Sequence, residues 1–290
     1  MAEQLHNMHK NRTYRNLVKK NDLVSFNVVV KETDLFIHAG EILADKTTEL
    51  VLKYRGYVES YINRYPEFEK TLKPWQINGP APGIVRDMVN AGNKAGVGPM
   101  AAVAGAIAEY VGLDLLSSSD EVVVENGGDI FLKTNEPVKI GIFAGKSPLS
   151  LRIGFRIDSI KKPAAVCTSS GSVGHSLSLG NADAVCILSE SCPLADAAAT
   201  SIGNHIKSKA DIPKAIDIGK NIEGIDAIAI IMGDEIGLWG NLELIPVNSR
   251  VVNHSTNVKE KKRLSFITEK SKKQGSGIRC WVTVKQLFPK

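Results

Sequence analysis

The stretch CPLADAAATSIGNHI, from Cys192 to Ile206, carries a few polar side chains in an otherwise small and apolar segment. Asp196, Thr200 and Asn204 are spaced four residues apart, which places them on one stripe of an α-helix. An aspartate and a threonine at this spacing can bind one cation together, and their oxygen donors favour Mg²⁺. The stretch therefore predicts a magnesium site on a core helix. An ordinary hydrogen bond between Asp196 and Thr200 is the alternative.

A second segment, NAGNKAGVGPMAAVAGAIAE from Asn90 to Glu109, places glycines and a proline at the start of a helical pattern. Pro99 stands where a first-turn proline is favoured, and Gly98 lets the backbone come close to a ligand. Free N–H groups at that helix start predict a binding site for an anion such as phosphate. Close packing of a helix face made of alanine and glycine is the alternative.

Two further segments combine turn residues with polar groups. VVVENGGDIF, at 122–131, is a strand interrupted by NGGD, a hairpin signal whose flanking Glu125 and Asp129 could also meet a metal ion or a ribose hydroxyl. CTSSGSVGHSLSLGNADAV, at 167–185, is rich in serine and glycine and contains His175. Such loops contact phosphates through hydroxyl and N–H groups. Plain turns are the alternative for both segments.

A scaffold of strands and helices must bring these segments together. Hydrophobic periodicity predicts a helix at about 45–65, a helical region at 82–112 that is interrupted at AGVGPM, and a helix after Cys192. This pattern predicts an α+β fold, with mixed or antiparallel sheets flanked by a few long helices. Strands are predicted at 23–38 (a pair around a KETD turn), 121–132, 137–144, 151–157, 164–168, 182–189, 225–232 and 242–247.

The composition is that of an ordinary globular protein, with 290 residues, 43% hydrophobic and 23% charged. No apolar run reaches the roughly 20 residues that span a bilayer, which argues against a membrane protein. The N-terminus lacks the apolar core of a secretory signal. Four cysteines without a CxxC pair indicate a reduced, cytoplasmic protein.

Basic charge is concentrated at the C-terminus. Residues 251–290 hold ten Lys and Arg against two acidic residues, a balance of +8, whereas the rest of the chain has 26 basic and 29 acidic residues. We therefore expect a basic N-terminal segment at 1–22, one folded domain at 23–247, and a basic, disordered tail at 248–290. Contact of the tail with nucleic acid or an anionic membrane is the alternative, but no nucleic-acid-binding motif is present.

The motifs ENGGDIF, TSSG and ADAAAT, in this order, resemble those of the ApbE superfamily, whose best-studied members are Mg²⁺-dependent FAD:protein FMN transferases. Together with ETDL, GVGPMAAVAGAIAE, VENGGDIFL and SSGSVGHSLSLGNADAV, they are similar to the UPF branch of ApbE-like proteins. The resemblance covers about residues 14–247. It implies an ApbE-like fold for 23–247, with Mg²⁺ and FAD, or another adenine nucleotide, as cofactors.

The resemblance also implies roles at matching positions. Asp196 and Thr200 match the metal-binding Asp and Thr of the transferases, and a backbone carbonyl near Gly98–Ala102 would be a third ligand. His175 matches a transferase histidine, and together with Asp129 it is a candidate catalytic base. The residues expected to contact the nucleotide are Gly98, Pro99, Asn126, Gly127, Gly128, Thr168, Ser169, Ser170 and Gly171.

The sequence differs from the transferases at one motif, because their DPxTG-like stretch is absent. The type of reaction is therefore undecided, and three hypotheses remain. The first hypothesis is a Mg²⁺-dependent transferase or hydrolase of a flavin or nucleotide pyrophosphate, with a protein as one possible acceptor. The second, which the resemblance to the UPF branch implies, is a factor for sulfur assimilation and homocysteine synthesis that works with a pathway enzyme. It would use Cys167 or Cys192, the latter activated by its helix N-terminus, and a small buried core residue is the alternative for each cysteine. The third is a flavin- or nucleotide-binding protein without turnover. The oligomeric state is open.

Overall fold

The computed structural model describes residues 23–159, 161–171 and 179–247, together with the backbone of residues 280–283. Along the chain, two strands are followed by four helices, six strands, two helices and four strands. The helices are α1 (Ala44–Arg64), α2 (Glu67–Lys70), α3 (Gly83–Ala95), α4 (Val103–Leu115), α5 (Cys192–Asn204) and α6 (Ile212–Gly219), with 3-10 turns at Pro99–Ala102 and Lys209–Asp211. The strands are β1 (Val24–Val30), β2 (Thr33–Ala39), β3 (Val122–Asn126), β4 (Asp129–Lys133), β5 (Val138–Gly141), β6 (Ile153–Ile157), β7 (Ala164–Ser169), β8 (Ala184–Ser189), β9 (Ile225–Met232), β10 (Glu235–Gly240), β11 (Glu243–Pro246) and β12 (Cys280–Thr283).

The strands form two antiparallel sheets. Nine strands make the main sheet in the order β1-β2-β3-β4-β7-β8-β9-β10-β12, and β11-β6-β5 make a small one. One core lies between the helices and the main sheet, and a second core lies between the main sheet and the small one. The result is three layers, and it confirms the predicted α+β class.

Burial on both faces explains why a central strand such as β8 is apolar from Ala184 to Leu188. Successive side chains of a strand point to opposite faces, so one strand contributes to both cores. In β8, Val185 and Ile187 belong to the helix-side core, whereas Ala184 and Cys186 belong to the core shared with the small sheet.

Helix α5 is the central helix of the helix-side layer. It contacts α3, α4, β7 and β8. The Ser191 side chain caps its N-terminus by accepting a hydrogen bond from the Leu194 N–H at 3.4 Å, and Pro193 occupies its first turn. Its alanines are fully buried, which lets neighbouring backbones approach closely. The polar stripe of this helix is thereby held on a rigid element.

The sequence patterns missed the short helices α2 and α6 and the strands β10 and β12. Strand β10 was not predicted, because Gly237 and Gly240 weaken the alternating pattern of its sequence. It follows β9 after a turn in which Gly233 has φ +61°, and it pairs with β9 throughout. The short helix α6 was also missed. It packs on β9 and β10 and covers the end of the helix-side core.

The basic C-terminal region contributes one described strand. Cys280–Thr283 pairs antiparallel with β10 and forms an edge of the main sheet. The remaining residues of 248–290, and all of 1–22, lie outside the described residues. Within the described part of the chain, no single helix is long and apolar enough to cross a membrane; Gly83–Ala95 and Pro99–Leu115 meet the length and composition only as a pair, bent by 106°.

Candidate functional site

The NGGD motif forms the predicted two-residue hairpin turn between β3 and β4. Asn126 pairs with Asp129, and Gly127 and Gly128 have φ angles of +68° and +113°, which glycine adopts without strain. The Glu125 Oε1 atom accepts a hydrogen bond from the Gly128 N–H at 2.8 Å, which stabilises the turn. A Cβ atom at Gly127 would meet nothing within 4 Å, so there is open space beside the tip of the turn.

Asp129 joins this turn to the end of β7. Its side chain is buried, and its Oδ1 atom accepts a hydrogen bond from the Thr168 N–H at 3.3 Å. Burial raises the pKa of Asp129 to about 7, although the Cys167 thiol and the Thr168 N–H both favour the ionised form; the neighbouring Glu125 charge raises it further. Asp129 can therefore exchange a proton near neutral pH.

The polar stripe of α5 is present as predicted. Asp196, Thr200 and Asn204 are partly exposed along a helix whose other faces are buried. The Asn204 Oδ1 atom accepts a hydrogen bond from the Leu179 N–H at 2.9 Å, which ties the end of the hydroxyl-rich loop to the helix. Among the described residues, no hydrogen bond joins Asp196 to Thr200, so the predicted alternative of an Asp–Thr pair is not found.

Asp196 instead binds the N-terminus of α4. Its Oδ2 atom accepts a hydrogen bond from the Gly105 N–H at 2.9 Å, and the Ala104 N–H also bonds to this carboxylate. In return, Glu109 of α4 accepts a hydrogen bond from the Cys192 N–H, the first residue of α5, at 2.6 Å. The two helices thus cap each other with carboxylates from within their first two turns.

Glycine makes this reciprocal capping possible. A Cβ atom at Gly105 would lie 2.5 Å from the Cys192 carbonyl oxygen and 2.9 Å from the Asp196 Cβ. The sequence patterns did not identify Glu109 as part of the site. The signal was available, because Glu109 is a carboxylate in the middle of the otherwise apolar first ten residues of α4.

The charge of Asp129 acts on the carboxyl group of Asp196. Burial raises the pKa of Asp196 well above its usual range, and the charge of Asp129 raises it further. Two neighbouring carboxylates whose negative charges repel each other make a site that a cation stabilises. The described residues contain no cluster of three or more His, Cys, Asp and Glu suited to a metal ion. Mg²⁺ needs only one or two protein carboxylates together with phosphate and water, so Asp196 and Thr200 fit it.

Asn126 connects the hairpin to the same helix terminus. Its Nδ2 group donates a hydrogen bond to the Ala104 carbonyl oxygen at 3.0 Å. Asn126 was expected to contact a nucleotide, and in the structure it fixes the position of the hairpin against α4. The hairpin tip, the end of β7 and the N-terminal turn of α4 therefore lie at one place, next to Asp196.

Gly98 and Pro99 have a different environment. Both are buried, and a Cβ atom at Gly98 would lie 1.9 Å from the Thr71 carbonyl oxygen. Pro99 begins a 3-10 turn, and α4 itself starts only at Val103. The structure thus supports the close-packing alternative for Gly98, and contact of Gly98 and Pro99 with a nucleotide stays a prediction.

The residues of the TSSG motif stand at the end of β7 and just after it. The Thr168 side chain donates to the Cys186 Sγ atom at 3.3 Å. Ser169 ends the strand, Ser170 follows, and the Gly171 N–H donates to the Ala182 carbonyl oxygen at 2.9 Å. His175 lies outside the described residues, as do all residues of 172–178.

The two cysteines proposed as reactive thiols are fully buried. Burial raises the pKa of Cys192 to about 11 and that of Cys167 well above its usual range. The expectation of a lowered pKa at Cys192 is not met, because burial disfavours the thiolate and the nearby carboxylates Asp129, Glu109 and Asp196 raise the pKa further.

We expect the reciprocal caps to make stability depend on pH through Glu109. Burial raises the pKa of Glu109 from 4.5 to about 7, against the opposing hydrogen bond from Cys192 and with a smaller contribution from the Asp87 charge. The folded state then holds the proton more tightly than the unfolded state, so this stability is present below pH 4.5 and is lost as the pH rises through 7. Glu109→Gln keeps the hydrogen-bond acceptor and removes the charge. Urea unfolding at pH 5 and pH 8 should show a smaller loss of stability for the variant, by about 2 kcal/mol.

The exposed Glu49→Gln change in α1 is the matched control, and it should leave the pH dependence as in the unmodified chain. Equal pH dependence in Glu109→Gln and the unmodified chain would contradict this role of Glu109.

Comparison of the sequence with known proteins identifies its family. The model of a family described as "AbpE bacteria" matches residues 15–237, which is most of the chain. The chain belongs to this family. Membership in the ApbE superfamily, predicted from the ENGGDIF, TSSG and ADAAAT motifs, is thereby confirmed.

Relatives of this chain occur in species of Methanococcus and Methanocaldococcus. A UPF0280 protein of Methanococcus aeolicus is 39% identical over 244 residues, covering 82% of this chain and 96% of that relative. A UPF0280 protein of Methanocaldococcus jannaschii is 39% identical over 231 residues, covering 77% and 94%. Among solved structures, the apo flavinyl transferase ApbE of Pseudomonas stutzeri aligns with a TM-score of 0.49 and 13% identity, over 74% of this chain and 92% of its own. Membership rests on the family model and the sequence relatives.

Proposed function

We propose that this chain binds the pyrophosphate of FAD, or of another adenine nucleotide, together with Mg²⁺, and transfers or hydrolyses it in the cytoplasm. The observation that carries the proposal is a chain of hydrogen bonds that holds two carboxylates at one place in the fold. Asp129 bonds to Thr168 at the end of β7, Asp196 bonds to Gly105 at the N-terminus of α4, and Asn126 ties the NGGD turn to the same terminus. The pKa of each carboxyl is raised, and the charge of Asp129 contributes to the rise at Asp196. A divalent cation bound to a pyrophosphate would neutralise this cluster.

The donor set supports a hard cation. Asp196 and Thr200 would hold Mg²⁺ on α5, and when bound the ion would supply charge neutralisation at the phosphate oxygens. The chain's own residues would do the rest. The open space beside Gly127 gives room for the nucleotide, and the backbone after β7, at Thr168–Gly171, would bind phosphate through its N–H groups.

Asp129 would act as the general base. Its pKa of about 7 suits the removal of a proton from an attacking hydroxyl or water at neutral pH. Its hydrogen bond from Thr168 fixes the carboxylate at the phosphate-binding end of β7. His175 is the second candidate for proton transfer in this proposal, and a protein is one candidate acceptor of the transferred group.

The substrate class comes from the motif resemblance to FAD:protein FMN transferases. The missing DPxTG-like stretch favours hydrolysis or another acceptor over transfer to a protein threonine. The sulfur-assimilation alternative needs a reactive thiolate, which the burial of Cys167 and Cys192 does not favour.

Product analysis tests the reaction. We expect that incubation of the full chain with FAD and Mg²⁺ consumes FAD, and that chelation of Mg²⁺ by EDTA stops the reaction. Chromatography and mass spectrometry would identify FMN and AMP for hydrolysis, or a flavin-linked acceptor and AMP for transfer. FAD that binds without being consumed would show a binding protein and contradict the enzymatic proposal. FAD that neither binds nor reacts would contradict the substrate class.

A further inference from the structure

Two cysteines meet beneath the candidate site. Cys167 lies in β7 and Cys192 is the first residue of α5, 25 positions further along the chain. Their Sγ atoms are 3.5 Å apart, and the Cys167 thiol also lies 3.4 Å from the Cys192 carbonyl oxygen. Both residues are fully buried in the helix-side core. Both residues are free thiols in the structure.

We propose that Cys167 and Cys192 form a dithiol site that a peroxide oxidises to an internal disulfide between β7 and the first turn of α5. A disulfide bond is about 2.05 Å long, so the two sulfur atoms need to approach by about 1.5 Å. They face each other directly across the packed interface of α5 and β7. This inference does not depend on the proposed reaction with FAD.

The main sheet makes the pairing specific. Cys186 in β8 belongs to the core on the opposite face of the sheet, where its Sγ atom accepts a hydrogen bond from the Thr168 hydroxyl. Cys167 lies opposite Ile187, and both face the helices. Because a sheet separates Cys186 from the other two, oxidation should link Cys167 to Cys192 and leave Cys186 as a thiol. Cys186 therefore provides a matched control within the same chain.

The chemistry balances with hydrogen peroxide as the oxidant. One thiolate attacks a peroxide oxygen, which breaks the O–O bond and gives a sulfenic acid and hydroxide. The second sulfur attacks the sulfenic sulfur, an S–S bond forms, and the hydroxyl group leaves as water. Overall, two thiols and one hydrogen peroxide give one disulfide and two waters. Because burial raises the pKa of both thiols, the reaction should become faster as the pH rises above 7.

Oxidation should also affect the candidate cation site. Cys192 starts the helix that carries Asp196, one turn later, and the Cys167 thiol bonds to Asp129. Formation of the disulfide removes that S–H donor and draws the start of α5 towards β7. The dithiol can therefore couple the oxidation state of the protein to the geometry of Asp129 and Asp196.

Peptide mapping under non-reducing conditions tests the site. The full chain is treated with hydrogen peroxide at pH 8, free thiols are blocked by alkylation, and the digest is analysed by mass spectrometry. We expect a crosslinked peptide pair that contains Cys167 and Cys192, lighter by two hydrogen atoms than the two thiol peptides, and alkylated Cys186. We also expect the crosslinked protein to melt a few degrees higher than the reduced protein.

Variants decide whether the pair is specific. Cys186→Ser should form the crosslink to the same extent, whereas Cys192→Ser and Cys167→Ala should form none. The crosslink in the unmodified chain and in Cys186→Ser is informative even if the other variants fold poorly. Three results would each overturn the proposal. They are alkylation of all the thiols after peroxide treatment, overoxidation of one cysteine without a crosslink, and a crosslink through Cys186 or Cys280.

Discussion

Asp196→Asn should lower the affinity for Mg²⁺, measured by calorimetry with FAD present, by about 100-fold or more, because it removes a ligand charge. The amide oxygen of Asn can still accept the hydrogen bond from the Gly105 N–H, so the cap of α4 is preserved. This variant is more informative than Asp196→Ala, which would remove the cap and the charge together.

Glu109→Gln is the matched control for this measurement. Glu109 caps α5 as Asp196 caps α4, but it bonds to Cys192 at the start of the helix, one turn before Asp196. We expect the affinity for Mg²⁺ to change less than threefold in Glu109→Gln, which is within the usual scatter of single-contact effects. An equal loss in both variants would show that Asp196 acts only through the helix pair. Unchanged binding in Asp196→Asn would contradict the metal site.

Asp129→Asn should slow the consumption of FAD by about 10²- to 10⁴-fold, the usual contribution of a general base. The variant keeps an acceptor for the Thr168 N–H, so we expect it to fold and still to bind FAD with Mg²⁺. In the unmodified chain the rate should rise with pH, because the base must lose its proton before it acts. The midpoint should lie at or below the pKa of about 7, since a bound cation favours the carboxylate.

Glu125→Gln tests whether any neighbouring carboxylate would do. Glu125 also accepts a hydrogen bond within the hairpin, from the Gly128 N–H. We expect Glu125→Gln to slow the reaction far less than Asp129→Asn does. A variant Asp129→Asn that consumes FAD at the normal rate would show that Asp129 is not the base.

Local patterns in the sequence were sufficient for the elements that carry the site. The NGGD turn and the stripe of Asp196, Thr200 and Asn204 depend on chain-local periodicity, and both are present in the structure. The predicted strands were found because apolar runs bounded by turn residues are typical of buried strands.

Local sequence patterns did not predict the contacts between segments that are distant along the chain. The reciprocal caps join residues 83 and 91 positions apart, and they depend on how α4 and α5 pack. The role of Gly98 illustrates the same limit, since a glycine indicates a close approach but not to which group, and here the neighbour is the Thr71 carbonyl. The pKa of Cys192 depends on burial, which no motif reports.

The central claim is that one site binds Mg²⁺ and the pyrophosphate of FAD together. Binding of two ligands at one site is reciprocal, so Mg²⁺ must raise the affinity for FAD by the same factor as FAD raises the affinity for Mg²⁺. The direct measurement is the dissociation constant of FAD at zero and at saturating Mg²⁺, with FMN, which lacks the pyrophosphate, measured in parallel. We predict at least about a tenfold gain in affinity for FAD, about 1.4 kcal/mol, and a smaller gain for FMN. Equal affinity for FAD with and without Mg²⁺, or no binding of FAD in either condition, would contradict the account.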